Sequence, residues 1–275
     1  MRWKRRLAAL LTGVCLAVGL QAGPATAIVG GREATPDRHY FMAGLVDTYQ
    51  KKVVCGATLI SPRYVLTAAS CLGGRNAGGM GVLLGDHDYG TATESGFHQD
   101  FIPVEDFIVH ENYDLRTMAN DIALVRLLEE VRPNLKVDVA YLPWEYLYQD
   151  WAHAPVTALG WGATQTFDGP VSTVLQSVDL VMMANAECVN RGMENLTSGS
   201  ICNYTPGKGT CTFDDGGPVI YDAGYPLLVG IISYGEGCGS GSPDVNTRVS
   251  SYLQWILQKT PDATYQLRGS WPPRR

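Results

Sequence analysis

Several classes of protein are excluded by what this chain has little of. Beyond one short run near its start, no stretch approaches the roughly twenty unbroken apolar residues of a membrane helix, so no transmembrane span and no membrane partner are expected. Positive charge is not in excess: the formal net charge is -6. That balance disfavours nucleic acid, heparin-like polymers and anionic lipid as partners held by bulk attraction. No two cysteines lie two to four residues apart and the 5 histidines are scattered, a pattern that offers no ordinary zinc site. No metal and no cofactor are therefore expected. There is no repeat at a solenoid period and no low-complexity block. With 45% hydrophobic residues, 17% charged and 31 glycines, the chain has the composition of a turn-rich globular protein able to bury a core.

What is present points to secretion and to β structure. Arg2, Lys4, Arg5 and Arg6 precede an apolar run from Leu7 to Leu20, followed by the small residues Ala25-Thr26-Ala27. This is the layout of a cleavable signal peptide, predicted over 1–27, and it places the mature protein outside the cell. Its removal takes Cys15 and leaves Cys55, Cys71, Cys188, Cys202, Cys211 and Cys238, an even set in an oxidising compartment. Three disulfides are expected, and six cysteines admit fifteen pairings.

From Ile28 onward, short runs rich in Val, Ile, Leu, Tyr and Thr alternate with Gly, Pro, Asn and Asp, as in Val53-Val54-Cys55, Tyr64-Val65-Leu66 and Val82-Leu83-Leu84. That spacing predicts an all-β barrel or sandwich. One helix is predicted, from Ser251 to Lys259, with Leu253, Ile256 and Leu257 on one face and Pro261 beyond its end. Residues 261–275 are expected to be a mobile tail. Trp144, Tyr146, Tyr148 and Trp151 crowd into eight residues of one connector. Packing as a cover over the junction of two barrels accounts for them best, the alternative being a partner-binding surface, where Trp and Tyr are enriched.

Five segments, in order, carry a resemblance to a known family. They are Ile28-Val29-Gly30-Gly31, Leu66-Thr67-Ala68-Ala69-Ser70-Cys71, Asn120-Asp121-Ile122-Ala123-Leu124, Gly160-Trp161-Gly162 and Asp214-Asp215-Gly216-Gly217-Pro218. With Ser233-Tyr234-Gly235 and Thr247-Arg248-Val249, the chain resembles the chymotrypsin-like (S1) serine proteases from about Ile28 to Lys259. The resemblance implies one peptidase-like domain over 28–260. Its fold would be two six-stranded antiparallel β-barrels with a C-terminal α-helix. The implied disulfides are Cys55–Cys71, Cys188–Cys202 and Cys211–Cys238, each worth roughly 3 kcal/mol where the closed loop is about fifteen residues.

In this family, acyl transfer needs a hydroxyl nucleophile, an imidazole that takes and returns its proton, a carboxylate that orients the imidazole, and backbone donors for the oxyanion. Carried over residue by residue, the base position is Ser70, the orienting carboxylate is Asp121 and the nucleophile position is Asp215. A serine hydroxyl does not accept a proton near neutral pH, and a carboxylate attacks amides poorly. The glycine that shapes the oxyanion hole is replaced by Phe213, so no catalytic residue is expected to operate. Ser70 is expected to donate a hydrogen bond to Asp121 in place of the missing imidazole. The activation pair is retained as Ile28 and Asp214, and cleavage after Ala27 would expose Ile28 directly.

In the primary pocket, Gly209 stands where trypsin-like relatives carry an acid, and Asp244 is expected to line the wall and offer a negative charge to a basic side chain. Sequons at Asn195 and Asn203 mark two candidate glycosylation sites. Asp86, Asp88, Glu94 and Asp100 form an acidic stretch where some relatives hold calcium, without a clear ligand pattern.

These features imply a secreted, monomeric serine protease homologue that acts by holding a protein or peptide in its cleft. Such relatives are found in arthropod immunity, saliva and venom, as decoys, cofactors or adaptors of protease cascades. The alternative is an active hydrolase using non-standard residues, with Asp121 and Asp215 sharing a proton as an aspartic-type dyad.

Overall fold

Runs of β-branched and aliphatic residues, cut at intervals by turn formers, pair as antiparallel hairpins in the computed structural model, which describes residues 28–91, 101–163 and 169–262. A two-residue strand β1 (Arg32–Glu33) is followed by β2 (Met42–Asp47), β3 (Lys52–Ser61), β4 (Tyr64–Thr67), β5 (Met80–Leu84), β6 (Phe101–Val109) and β7 (Ala123–Leu127). Strands β2 to β7 close a barrel in the order β2-β3-β4-β7-β6-β5. The β2–β3 turn shows the local chemistry: Asp47 Oδ1 accepts from the backbone N–H of Tyr49 and Gln50, and Lys51 adopts a left-handed φ of 53°. Leu45, Leu59, Leu66, Leu83 and Leu124, on both faces of its sheet, are buried in the core. Each such buried side chain contributes about 1.5–3 kcal/mol.

The second barrel is built from β8 (Pro155–Gly160), β9 (Gln176–Met183), β10 (Ser200–Asn203), β11 (Pro218–Asp222), β12 (Pro226–Gly235) and β13 (Asp244–Arg248). Its order is β9-β10-β13-β12-β11-β8, closed by pairing of β8 with β9, and β1 adds to β9 as a seventh strand outside the ring. The pairing of Arg32 with Ser177 ties the segment after Ile28 to this barrel. A short helix α1 (Asn185–Asn190) precedes β10, and α2 (Leu253–Lys259) follows β13 after a 3-10 turn over Val249–Tyr252. The α-helix thus begins two residues later than predicted, because the tighter turn takes up the first positions. It caps the first barrel: Trp255 Nε1 donates to Glu111 Oε2 at 2.8 Å and Lys259 pairs with Glu111 at 2.6 Å.

All three disulfides are present with the implied pairing, closing separations of 16, 14 and 27 residues. In the aromatic connector, Trp151 is buried against Tyr146 and Tyr221, while Tyr148 stands 98% exposed, so three of the four aromatics pack and one does not. The predicted leader 1–27 lies outside the described residues. So do 263–275 of the expected tail, and Glu94 and Asp100 of the acidic stretch. Among the described residues no helix is long and apolar enough to cross a membrane.

Candidate functional site

The two barrels meet where glycines let their backbones touch. A Cβ added to Gly56 on β3 would come within 2.5 Å of Gly217 Cα, so no side chain fits there. Across this contact Gly56 N–H donates to the Asp215 carbonyl at 2.8 Å, and Cys71 Sγ lies 3.4 Å from the same oxygen. The loop before β11 is thereby fixed against the turn after β4, which carries Ser70. The tertiary structure thus brings Ser70 and Asp121, from the first barrel, to one cleft with Asp215 of the second.

Asp121, in the loop entering β7, is completely buried. Its Oδ1 accepts the Ser70 backbone N–H at 2.8 Å; its Oδ2 accepts the hydroxyls of Ser70 at 3.1 Å and Ser233 at 2.6 Å. Burial still pushes the carboxyl above its ordinary value, against the pull of these donors. Ser233 reaches Asp121 because the β12–β13 register shifts between Ile232 and Tyr234, a bulge that redirects the side chain. Thr247 on β13 adds a second tie, donating to the Asp121 carbonyl at 2.6 Å. Ser233 and Thr247 lie in segments that carried the family resemblance, but their part in holding Asp121 is set by contacts more than a hundred residues apart and was not read from sequence.

Asp215 carries no such support. Its backbone carbonyl is held as above, but among the described residues nothing donates to its carboxylate. Burial, with Asp121 and Asp244 adding like charge, pushes it up to about 7. Phe213, two residues earlier, has a φ of 72°, the left-handed region that favours glycine, and the residue is 38% exposed. The backbone therefore keeps the turn that a glycine would make, with a bulky side chain on it.

A pocket of about 260 Å³ opens beside Asp215, lined by Thr210, Cys211, Ser233, Tyr234, Gly235 and Asp215 itself. The two expected pocket residues do not line it. Asp244 is buried behind Gly235, its Oδ2 accepting from Thr210 N–H at 3.0 Å and from Asn203 Nδ2 at 3.4 Å. These donors hold Oδ2 behind the pocket wall, which Thr210 itself helps to form. Gly209 faces the same group: an added Cβ would sit 2.9 Å from Gly239 N and 3.2 Å from Asp244 Oδ2, leaving no space for a larger side chain.

Asn203 is corrected as a glycosylation candidate. It is 1% exposed on β10, opposite Asp244 in register, with Oδ1 accepting from Asn246 Nδ2 at 2.7 Å. An amide committed to a buried network cannot carry a glycan in the folded protein. Asn195 is exposed on a surface turn.

Ile28 is fully buried, with its N–H donating to the Ala163 carbonyl at 3.2 Å and Val29 bridged to Gly209. Asp214, also fully buried, accepts from Gly162 N–H and Cys211 N–H, both at 2.9 Å. Burial pushes it up to about 8. With Ala27 still joined to it the Ile28 nitrogen is a peptide amide, and the expected ion pair belongs to a chain cleaved after Ala27. Its two members are instead held by successive residues, Gly162 and Ala163. Among the described residues no cluster of His, Cys, Asp and Glu is arranged to hold a metal ion.

Comparison with known proteins bears on the same region. The family model Trypsin matches residues 28–256. The chain is 40% identical over 238 residues to brachyurin of Leptuca pugilator, covering 85% of this chain and 98% of that protein. It is 37% identical over 248 residues to venom serine protease 34 of Apis mellifera, covering 86% of this chain but 60% of that longer protein. Trypsin-1 of Astacus astacus is 33% identical over 239 residues, covering 83% of this chain and 98% of that protein.

Proposed function

Because the chain belongs to the trypsin-like family of serine proteases, we propose that it is a secreted member that holds polypeptide in its cleft without cleaving it. The family is one of serine endopeptidases. The observation that carries the reading is the pairing of Ser70 at the base position with Asp215 at the nucleophile position. The Ser70 hydroxyl is spent on Asp121, and it has no nitrogen to take a proton from an attacking group. Asp215 has no hydroxyl to attack with. Loss of the central members of this machinery costs on the order of a millionfold in rate, and the Phe213 side chain stands on the turn where the glycine of the oxyanion hole is expected.

What the cleft keeps is its framework: the two-barrel junction, the pocket and the orienting carboxylate. A rigid cleft of this kind can serve as a decoy, a cofactor or an adaptor in a protease cascade, or as a secreted effector. Two relatives carry the name venom serine protease, in keeping with an extracellular role. Extracellular secretion is part of the proposal and rests also on the leader pattern over 1–27.

The test combines a fluorophosphonate probe, which labels an activated serine, with a broad peptide library screened from pH 4 to pH 8. Neither labelling nor cleavage is expected from homogeneous protein. Cleavage at acid pH that disappears in Asp215→Asn would replace this reading with a dyad of Asp121 and Asp215. Stoichiometric labelling would overturn it outright.

A further inference from the structure

The pocket beside the cleft is walled by the Cys211–Cys238 disulfide, Thr210, Ser233, Tyr234 and Gly235, and the one charged group lining it is the carboxylate of Asp215. The other acids nearby are already engaged. Asp121 accepts from Ser70 and Ser233, Asp214 from Cys211 and Gly162, and Asp244 from Thr210 and Asn203. Asp215 alone is largely buried, faces an open pocket, and receives no hydrogen bond among the described residues. No lysine, arginine or histidine contributes to its electrostatic surroundings, which consist of burial and two further carboxylates. A buried acid with neither donor nor counter-charge is unfavourable as an anion. A ligand that brings a positive charge relieves that directly.

We propose that Asp215, standing where an attacking hydroxyl is expected, makes this pocket a receptor for a single organic cation, the ammonium or guanidinium head of a basic side chain or of a free alkylamine. At about 260 Å³ the pocket is smaller than a site for a drug-sized ligand and suited to one side chain. The aliphatic stem would lie along the disulfide wall and the Tyr234 ring, with the charged head at Asp215. The inference deepens the reading of the cleft as a binding site, and it moves the recognising charge from Asp244 to Asp215.

Binding to the ionised carboxylate carries a pH signature. Asp215 is pushed up to about 7 by burial, with Asp121 and Asp244 adding to it. Asp214, adjacent in the chain, and Tyr234, on the pocket wall, are raised as well, and no basic group opposes them. A cation selects the deprotonated form, so affinity falls as pH drops through this range, by about 90-fold between pH 8 and pH 5. Binding at pH 7 releases about half a proton.

Isothermal titration of the purified protein with Nα-acetyl-arginine amide, propylguanidine and Nα-acetyl-citrulline amide tests this. The two cations are expected to bind and the neutral citrulline isostere to bind at least tenfold more weakly. Tighter binding of the arginine amide than of propylguanidine identifies a polypeptide side chain as the natural source; equal binding identifies a free amine. Asp215→Asn should lose cation binding and its pH dependence, whereas Asp244→Asn should keep both. Equal binding of citrulline and arginine amides by the wild-type protein would overturn the proposal, and it needs no variant to fold. Unchanged binding in Asp215→Asn, or no cation binding at pH 8, would do the same. None of these results bears on whether peptide bonds are cut, so failure here is distinct from failure of the non-cleaving reading.

Discussion

Releasing a free ammonium at Ile28 should change how the fold's stability responds to pH. In the uncleaved chain Asp214 is fully buried with two backbone donors and, among the described residues, no cation, and burial pushes it up to about 8, against 3.8 in an unperturbed aspartate. The folded chain therefore keeps a proton that the unfolded chain has given up, unfolding releases it, and stability falls as pH rises between those two values. From pH 4 to pH 7 the loss from this one group is on the order of 4 kcal/mol. In a domain of this size that corresponds to roughly 10 °C in Tm. If Ile28 becomes the amino terminus, its ammonium starts from the buried position beside Ala163 and can neutralise Asp214, which then ionises in the folded state as well. Thermal unfolding of a chain beginning at Ile28, against the same chain with Ala25–Ala27 retained, measures the difference. Asp215 and Asp244 titrate in both chains, so their slopes cancel in the comparison. The retained-residue chain should lose Tm from pH 4 to pH 7 relative to the chain beginning at Ile28, and Asp214→Asn in it should remove most of that loss. Parallel curves for the two chains would refute the reasoning.

Two further outcomes concern the cleft's framework. Phe213 holds a φ of 72° and is partly exposed, and a non-glycine residue there costs about 1–2 kcal/mol. Phe213→Gly should therefore be about 1 kcal/mol more stable than Phe213→Ala in urea unfolding, and equal midpoints would mean that the turn is not strained. Ser233→Ala removes the 2.6 Å donor to buried Asp121 and should cost about 1–3 kcal/mol at pH 7. The cost should shrink as pH falls through the raised range of this carboxyl, because its protonated form needs the donor less. A pH-independent cost would show that the hydroxyl acts by packing alone.

The strand-rich fold, the C-terminal helix and the three cysteine pairs were legible in the chain because they follow from local rules and from motifs that keep their order, whereas the short helix over Asn185–Asn190 was not expected. Short runs of β-branched and aliphatic residues between turn formers become hairpins where they can be buried, as β2, β3 and β5 show. The identities at the cleft were equally plain, since Ser70, Asp121 and Asp215 lie within recognisable segments. Their partners were less so. The Ser70 bond to Asp121 could be anticipated from a buried carboxylate lacking its usual donor, while the stronger Ser233 bond depends on a bulge in β12 and on a contact spanning 112 residues.

The sequence by itself determined which chemical groups the cleft contains and which it lacks, since a side chain's nitrogen or hydroxyl is present whatever the fold. Which carboxylate faces the pocket was decided only in three dimensions. Asp244 is held behind the pocket wall by Thr210 and Asn203, Asn203 is buried with it, and Asp215 lines the pocket with no donor among the described residues. The physical reason is that a buried charge is oriented by whichever donors reach it, and those donors arrive from strands distant in the chain.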